Sequence, residues 1–244
     1  MNETRTLIVT EARLLLRDPV TWLAAIVLPT AILLIFGAVF APHHADPALG
    51  GLRFLDVFVP SLVVISVGTL GIQSLPIRLA TYREKGVLRR LSTTPAHPFR
   101  LLLAQLVCYA VTALLGLALL IVVAHGAFGV PLPARPIEYA IAVVLGTASM
   151  FAIGALVAAV APSARVATAL TIPLFFLVMF LGGVYLPRAF LPEILVRIGD
   201  FVPPGVQGLQ DAWLGTAPQL APLIGLGLVT VVLSIIAVRL FRWE

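Results

Sequence analysis

Polarity along this chain switches on the scale of whole segments. Uncharged apolar runs of twenty residues or more alternate with short stretches that hold nearly every charge. A helix needs about 20 apolar residues to cross a hydrocarbon core roughly 30 Å thick. Six runs meet that requirement, at about 20–41, 57–77, 101–124, 139–161, 166–187 and 219–238. Residues 2–17 differ in kind: Leu7, Ile8, Ala12, Leu15 and Leu16 are interleaved with Glu3, Arg5, Glu11 and Arg13, the pattern of an amphipathic helix lying at a membrane interface. That helix ends at Asp18-Pro19, where a first-turn proline restarts the chain as span one, with Trp22 at the interface and a kink at Pro29. Between spans five and six, residues 188–213 are too apolar for a plain loop. Phe190, Ile194 and Ile198 recur every four residues, Pro203-Pro204-Gly205 breaks the run, and Val206, Leu209 and Trp213 resume it. The expected fold is therefore all-α and polytopic: a single domain over 1–244 with an interface helix, six spans and an outer re-entrant helical hairpin.

Composition agrees, with 60% hydrophobic and 11% charged residues against the roughly 25% charged content of a soluble domain. Charge then supplies an orientation. Six spans put both ends on one side, and that side carries twelve of the sixteen basic residues, six of them in the 78–100 loop; by the positive-inside rule it is cytoplasmic. The net charge of +5, placed at span ends, reflects topology and anionic lipid rather than nucleic acid. Cys108, the only cysteine, lies within span three and carries no redox information. The first apolar run exceeds a signal-peptide core, so span one is expected to be retained.

The 78–100 loop is the most informative stretch. Arg78 to Lys85 continues span two, Gly86 breaks it, and Val87, Leu88 and Leu91 give a short helix an apolar face opposite Arg89 and Arg90. Thr94-Pro95 reads as an N-cap and first-turn proline leading to span three. Glu84 has Leu88 four residues on and so no basic intrahelical partner; it is either solvated or paired with its neighbours, or else held out for a separate chain. In span four, Gly154 and Ala158 form a small-xxx-small pair, for packing within the chain or across a dimer seam. The sole lysine, Lys85, precedes Gly86, so no P-loop is present. No run holds an ionisable residue away from its ends, which disfavours proton coupling, and no histidine lies in a span to serve an intramembrane protease. His43 and His44 lack further ligands for a structural metal. What remains is uncharged: Ser66, Thr69 and Gln73 in span two, and Thr171, Phe175, Phe176, Met179 and Phe180 in span five, which either pack between helices or line a path for a bulky amphipathic molecule.

These features together resemble the ABC-2-type exporter permeases, the transmembrane subunits that include the daunorubicin-type drug-export permeases and those of polysaccharide and teichoic-acid export. The resemblance rests on Arg17-Asp18-Pro19 with Pro29 and Phe36-Gly37, on Arg83-Glu84-Lys85-Gly86 through Thr94-Pro95, and on Gly182-Gly183-Val184-Tyr185-Leu186-Pro187. Gln105 departs from it, standing where a basic residue is common. The resemblance implies a dimer, homomeric or heteromeric, in a bacterial inner membrane, working with a separate ABC ATPase that binds ATP and Mg; this chain binds no cofactor and no metal. It implies that a cytoplasmic coupling helix receives the ATPase stroke through Arg83, Glu84, Lys85, Gly86, Leu88, Arg89, Arg90 and Leu91, with Glu84 and Arg90 the leading contacts. It places the translocation path near the dimer axis, with spans two and five contributing. Compact outer connections and uncharged spans favour a hydrophobic drug or lipid-like substrate; a glycan or teichoic-acid permease is the nearer alternative, and a non-transporting membrane scaffold the more distant one.

Overall fold

The computed structural model describes residues 3–40, 51–92, 98–185 and 192–241, all helix and connection with no β-strand among them. An N-terminal helix α1 (Glu3–Leu16) leads into the spans α2 (Pro19–Val39) and α3 (Phe54–Glu84), and α3 gives way to a short helix α4 (Val87–Ser92). Then come α5 (Pro98–Phe128), α6 (Pro136–Val160), α7 (Ala164–Leu181), the hairpin helices α8 (Glu193–Phe201) and α9 (Val206–Leu214), and α10 (Leu220–Leu240). Six of these helices are long and apolar enough to cross a membrane, and the chain is a multi-pass membrane protein. The Thr94-Pro95 cap, Phe190, His43, His44 and the Leu186-Pro187 end of the glycine-rich exit lie outside the described residues.

Helix α3 is the axis of the bundle. It is by far the most buried span and packs against α2, α5, α6, α7 and α9. It is also longer than its apolar run, because Arg53 and Asp56 form a capping box that starts the helix at Phe54, and the helix then continues through Arg78 to Glu84. Arg53 donates to the Phe128 and Gly129 carbonyls as well, which ties the start of α3 to the end of α5.

Prolines explain the irregular turns. Pro29 has no N–H to offer the Ala25 carbonyl four residues back. The chain passes through a π-helical turn at Leu23–Val27, and the Ser66 hydroxyl of α3 donates to Ala25 O instead. A second π turn, Thr69–Ser74, precedes Pro76 and carries the backbone of α3 close to α6. There a Cβ on Gly154 would overlap the Gly71 carbonyl, so only glycine allows the two helices to meet. The Gly154 and Ala158 pair therefore packs within the chain, with Ala158 fully buried.

Helix α7 stops at Gly182-Gly183, where Val184 N–H donates to Met179 O across a Schellman turn. The hairpin beyond it reaches deep into the bundle. Pro204 sits against Gly146, ten residues into α6 and so about 15 Å from its start. Val206, Leu209 and Trp213 are buried as their spacing predicts, and Gln210 donates to Val57 O and Ser61 Oγ of α3. Ile194 and Ile198 of α8 instead point outward, beside an exposed Glu193–Arg197 pair at 3.7 Å.

Candidate coupling site

The end of α3 meets α1, the first turns of α5, the α6–α7 turn and Phe241 at one end of the bundle, called here the terminal face. Two adjacent side chains grip the α6–α7 turn. Arg83 Nη1 donates to Ala158 O at 2.9 Å and to Ala161 O at 2.6 Å, covering carbonyls that the end of α6 leaves without helical partners. Its guanidinium also lies 5.2 Å from the Phe241 ring centroid. Glu84 Oε1 accepts from Ala164 N–H at 3.1 Å, and Ser163 Oγ accepts from Val166 N–H, so the start of α7 is capped by both. One turn of backbone thus holds the cation where helix carbonyls converge and the anion where helix N–H groups converge.

Gly86 follows at φ +65°, a left-handed conformation that ends α3 and redirects the chain into α4. Lys85 and Arg90 are exposed, whereas Leu88 is only 1% exposed and anchors α4 on the chain itself. The side chains of Arg89 and Leu91 lie outside the described residues. Glu84 is exposed and still held by the α7 start, so it is neither simply solvated nor wholly reserved for another chain.

A second cluster, which sequence reasoning missed, docks the interface helix. Glu11 is 5% exposed, accepts from Tyr82 OH at 2.9 Å and from Gln105 Nε2 at 3.5 Å, and lies 3.6 Å from Arg78 Nε. Arg78 also reaches Asp18 Oδ2 at 3.5 Å, while Asp18 caps α2 through Thr21. Trp22 Nε1 donates to Leu15 O across the α1–α2 junction. Burial pushes the Glu11 carboxyl above its ordinary value, and the Tyr82, Arg78 and Gln105 contacts pull it partly back. The signal was present: Glu11 is four residues from Leu7 and from Leu15, so it stands on the apolar stripe and not on the polar face. Gln105, uncharged where a basic residue is common, fits a site in which Arg78 already supplies the cation.

The residues expected along a path are divided. Ser66, Thr69, Thr171, Phe175 and Met179 are buried between helices of this chain, and a Cβ on Gly68 would strike Met179. Thr69 and Thr171 satisfy their hydroxyls on carbonyls of their own helices. Gln73 is half-buried, and Phe176 and Phe180 face outward at 56% and 41% exposure, with Phe176 stacked on Tyr185.

Six helices long and apolar enough to cross a membrane, the central one ending in a surface helix, define a polytopic membrane protein. The family model of ABC-2 type transporters matches residues 2–204, and the chain belongs to that family. It is a permease component of an ABC transporter, a class whose ATPase is an ABC subunit. No individually curated protein matches it.

Proposed function

We propose that this chain is the permease of an ATP-driven exporter, paired with a second permease copy or paralogue and with a separate ABC ATPase that binds ATP and Mg. The observation that carries the proposal is the double grip of Arg83 and Glu84 on the α6–α7 turn, immediately before Gly86 and α4. A push on α4 passes into α3, which cannot move without taking both ends of that turn with it. The ATPase contacts fall on the exposed Lys85 and Arg90, with Arg89 and Leu91 beside them. The stroke then travels through Arg83, Glu84 and the buried Leu88.

The basic residues concentrated on the terminal face support a cytoplasmic position for that face, with the chain in a bacterial inner membrane. The substrate is a hydrophobic drug or lipid-like molecule, supported by apolar runs that carry no charge away from their ends and by the outward Phe176 and Phe180, which with Gln73 are the candidate path residues still open to a ligand. The test is co-expression with candidate ABC ATPases from the same organism. A P-loop ATPase that co-purifies, and whose ATP hydrolysis changes in Glu84→Ala or Arg90→Glu, supports the reading. Purification with no ATPase, or both variants behaving as wild type, overturns it.

A further inference from the structure

Helix α1 docks on the bundle with a carboxyl in its buried face. Ile8, Ala12 and Leu15 pack into the core, and Glu11 lies among them at 5% exposure. The groups that face Glu11 are Arg78 and Tyr82 of α3, Gln105, Cys108 and Tyr109 of α5, and, beyond the guanidinium, Asp18 at the α1–α2 junction. Among these described residues Arg78 is the one cation, and two carboxylates share it. Its Nε lies 3.6 Å from Glu11 Oε2 and its Nη1 3.5 Å from Asp18 Oδ2, both well beyond the roughly 2.7–2.9 Å of a tightly bonded guanidinium and carboxylate.

With both carboxylates ionised the cluster carries one uncompensated negative charge, which a buried site resists. A proton relieves it, and Glu11 is the carboxylate that takes one. The Asp18 side chain is 32% exposed and accepts from the Thr21 N–H and hydroxyl at the start of α2, which favours its charged form. Burial instead holds the Glu11 carboxyl above its ordinary value. An acceptor for the proton is built in beside it. Gln105 Oε1 and, one turn on, Tyr109 OH are buried with no hydrogen-bond partner among the described residues. The Gln105 amide already reaches Glu11 Oε2 through Nε2 at 3.5 Å, and a half-turn of that amide presents Oε1 there, the acceptor that a carboxylic acid needs. A metal cation would have to displace the guanidinium from between the carboxylates, whereas a proton adds no volume.

We infer that this cluster is a proton-operated latch on the interface helix: Glu11 docks α1 as a neutral acid between Tyr82 and Gln105, and losing the proton weakens the docking. Below the ordinary glutamate value the carboxyl is neutral whether α1 is docked or free, so docking does not vary with pH. Above that value the free helix is ionised while the docked one keeps its proton. Docking then weakens by up to about ten-fold per pH unit, until the docked carboxyl ionises too. Release reaches the start of α2 as well, because Trp22 Nε1 donates to Leu15 O at the end of α1. The latch is a property of this chain alone and does not rest on the exporter reading.

Hydrogen exchange of the full chain in lipid nanodiscs, from about pH 4 to about pH 9 with each rate divided by the intrinsic rate at that pH, tests this. Protection over residues 3–16 should fall by up to about ten-fold per pH unit across one interval above the ordinary glutamate value, while protection over residues 101–117 of α5 holds. Glu11→Gln, neutral at every pH, should keep α1 protected throughout. Wild-type protection of α1 that does not change with pH, or the same fall surviving in Glu11→Gln, overturns the inference. A readout that needs no variant is the infrared difference spectrum of wild type. A carboxylic-acid C=O band should persist above the ordinary glutamate range and vanish in step with the protection of α1. The absence of that band, or its disappearance with no loss of protection, would contradict the latch.

Discussion

Single side chains at the terminal face hold elements that are distant in sequence. Arg83 links the end of α3 to the end of α6 across 78 residues through charge-assisted bonds to backbone carbonyls. Arg83→Ala should cost about 2 kcal/mol, because it strands those carbonyls, and Arg83→Lys should recover part of it; thermal unfolding in detergent reads both. Glu11 makes a prediction in pH. Burial raises its carboxyl, so the folded chain holds that proton more tightly than the unfolded chain does. Its contribution to stability is full below the ordinary glutamate value and is lost as pH rises through the interval up to the raised one. Glu11→Gln should therefore flatten the thermal midpoint against pH across that interval; an unchanged slope would remove Glu11 as its source. The apolar stripe of α1 carried a signal for Glu11, whereas the grip of Arg83 was not legible beforehand. The sequence marks Arg83 and Glu84 as charges near a helix break, but their partners are backbone atoms of the α6–α7 turn, which no side-chain pattern reveals.

At the scale of elements, proline and glycine place the helices where hydrophobicity alone does not. The Ser66 bond to the Ala25 carbonyl compensates for the missing N–H of Pro29, so the two residues should be coupled. Ser66→Ala alone should destabilise by about 1–3 kcal/mol, and less in a Pro29→Ala background, where residue 29 regains its own donor; a double-mutant cycle with no coupling would contradict this. Gly154→Leu should prevent α6 from seating on α3 and abolish the monodisperse folded protein, as size-exclusion chromatography would show. The six spans were legible to within a few residues at most ends because their signal is length and composition. Helix α3 was underestimated, since its charged ends belong to the helix although not to the apolar run. The inward stripe of α9 followed from periodicity, whereas periodicity could not tell that Ile194 and Ile198 would face out. In the same way the polar residues of span two could be listed from sequence, but only packing shows that Ser66 and Thr69 are occupied between helices.

For the whole molecule, the terminal face joins two devices on one helix. Arg78 and Tyr82 receive the interface helix α1, and the next two residues, Arg83 and Glu84, hold the α6–α7 turn. A partner acting on α4 therefore engages both through α3, the most buried span and the one least able to move alone. Sidedness is checked by cysteine labelling in intact cells, where a cysteine placed at Ala96 should be protected and one at Ala45 labelled. The most direct test of the coupling claim is hydrogen exchange over residues 158–168 in the complex with its ATPase, with and without ATP. Wild type should show an ATP-dependent change in protection there, and Arg83→Ala with Glu84→Ala should lose it while the ATPase still co-purifies. The same ATP-dependent change surviving in the double variant, or no change in wild type, would contradict the account.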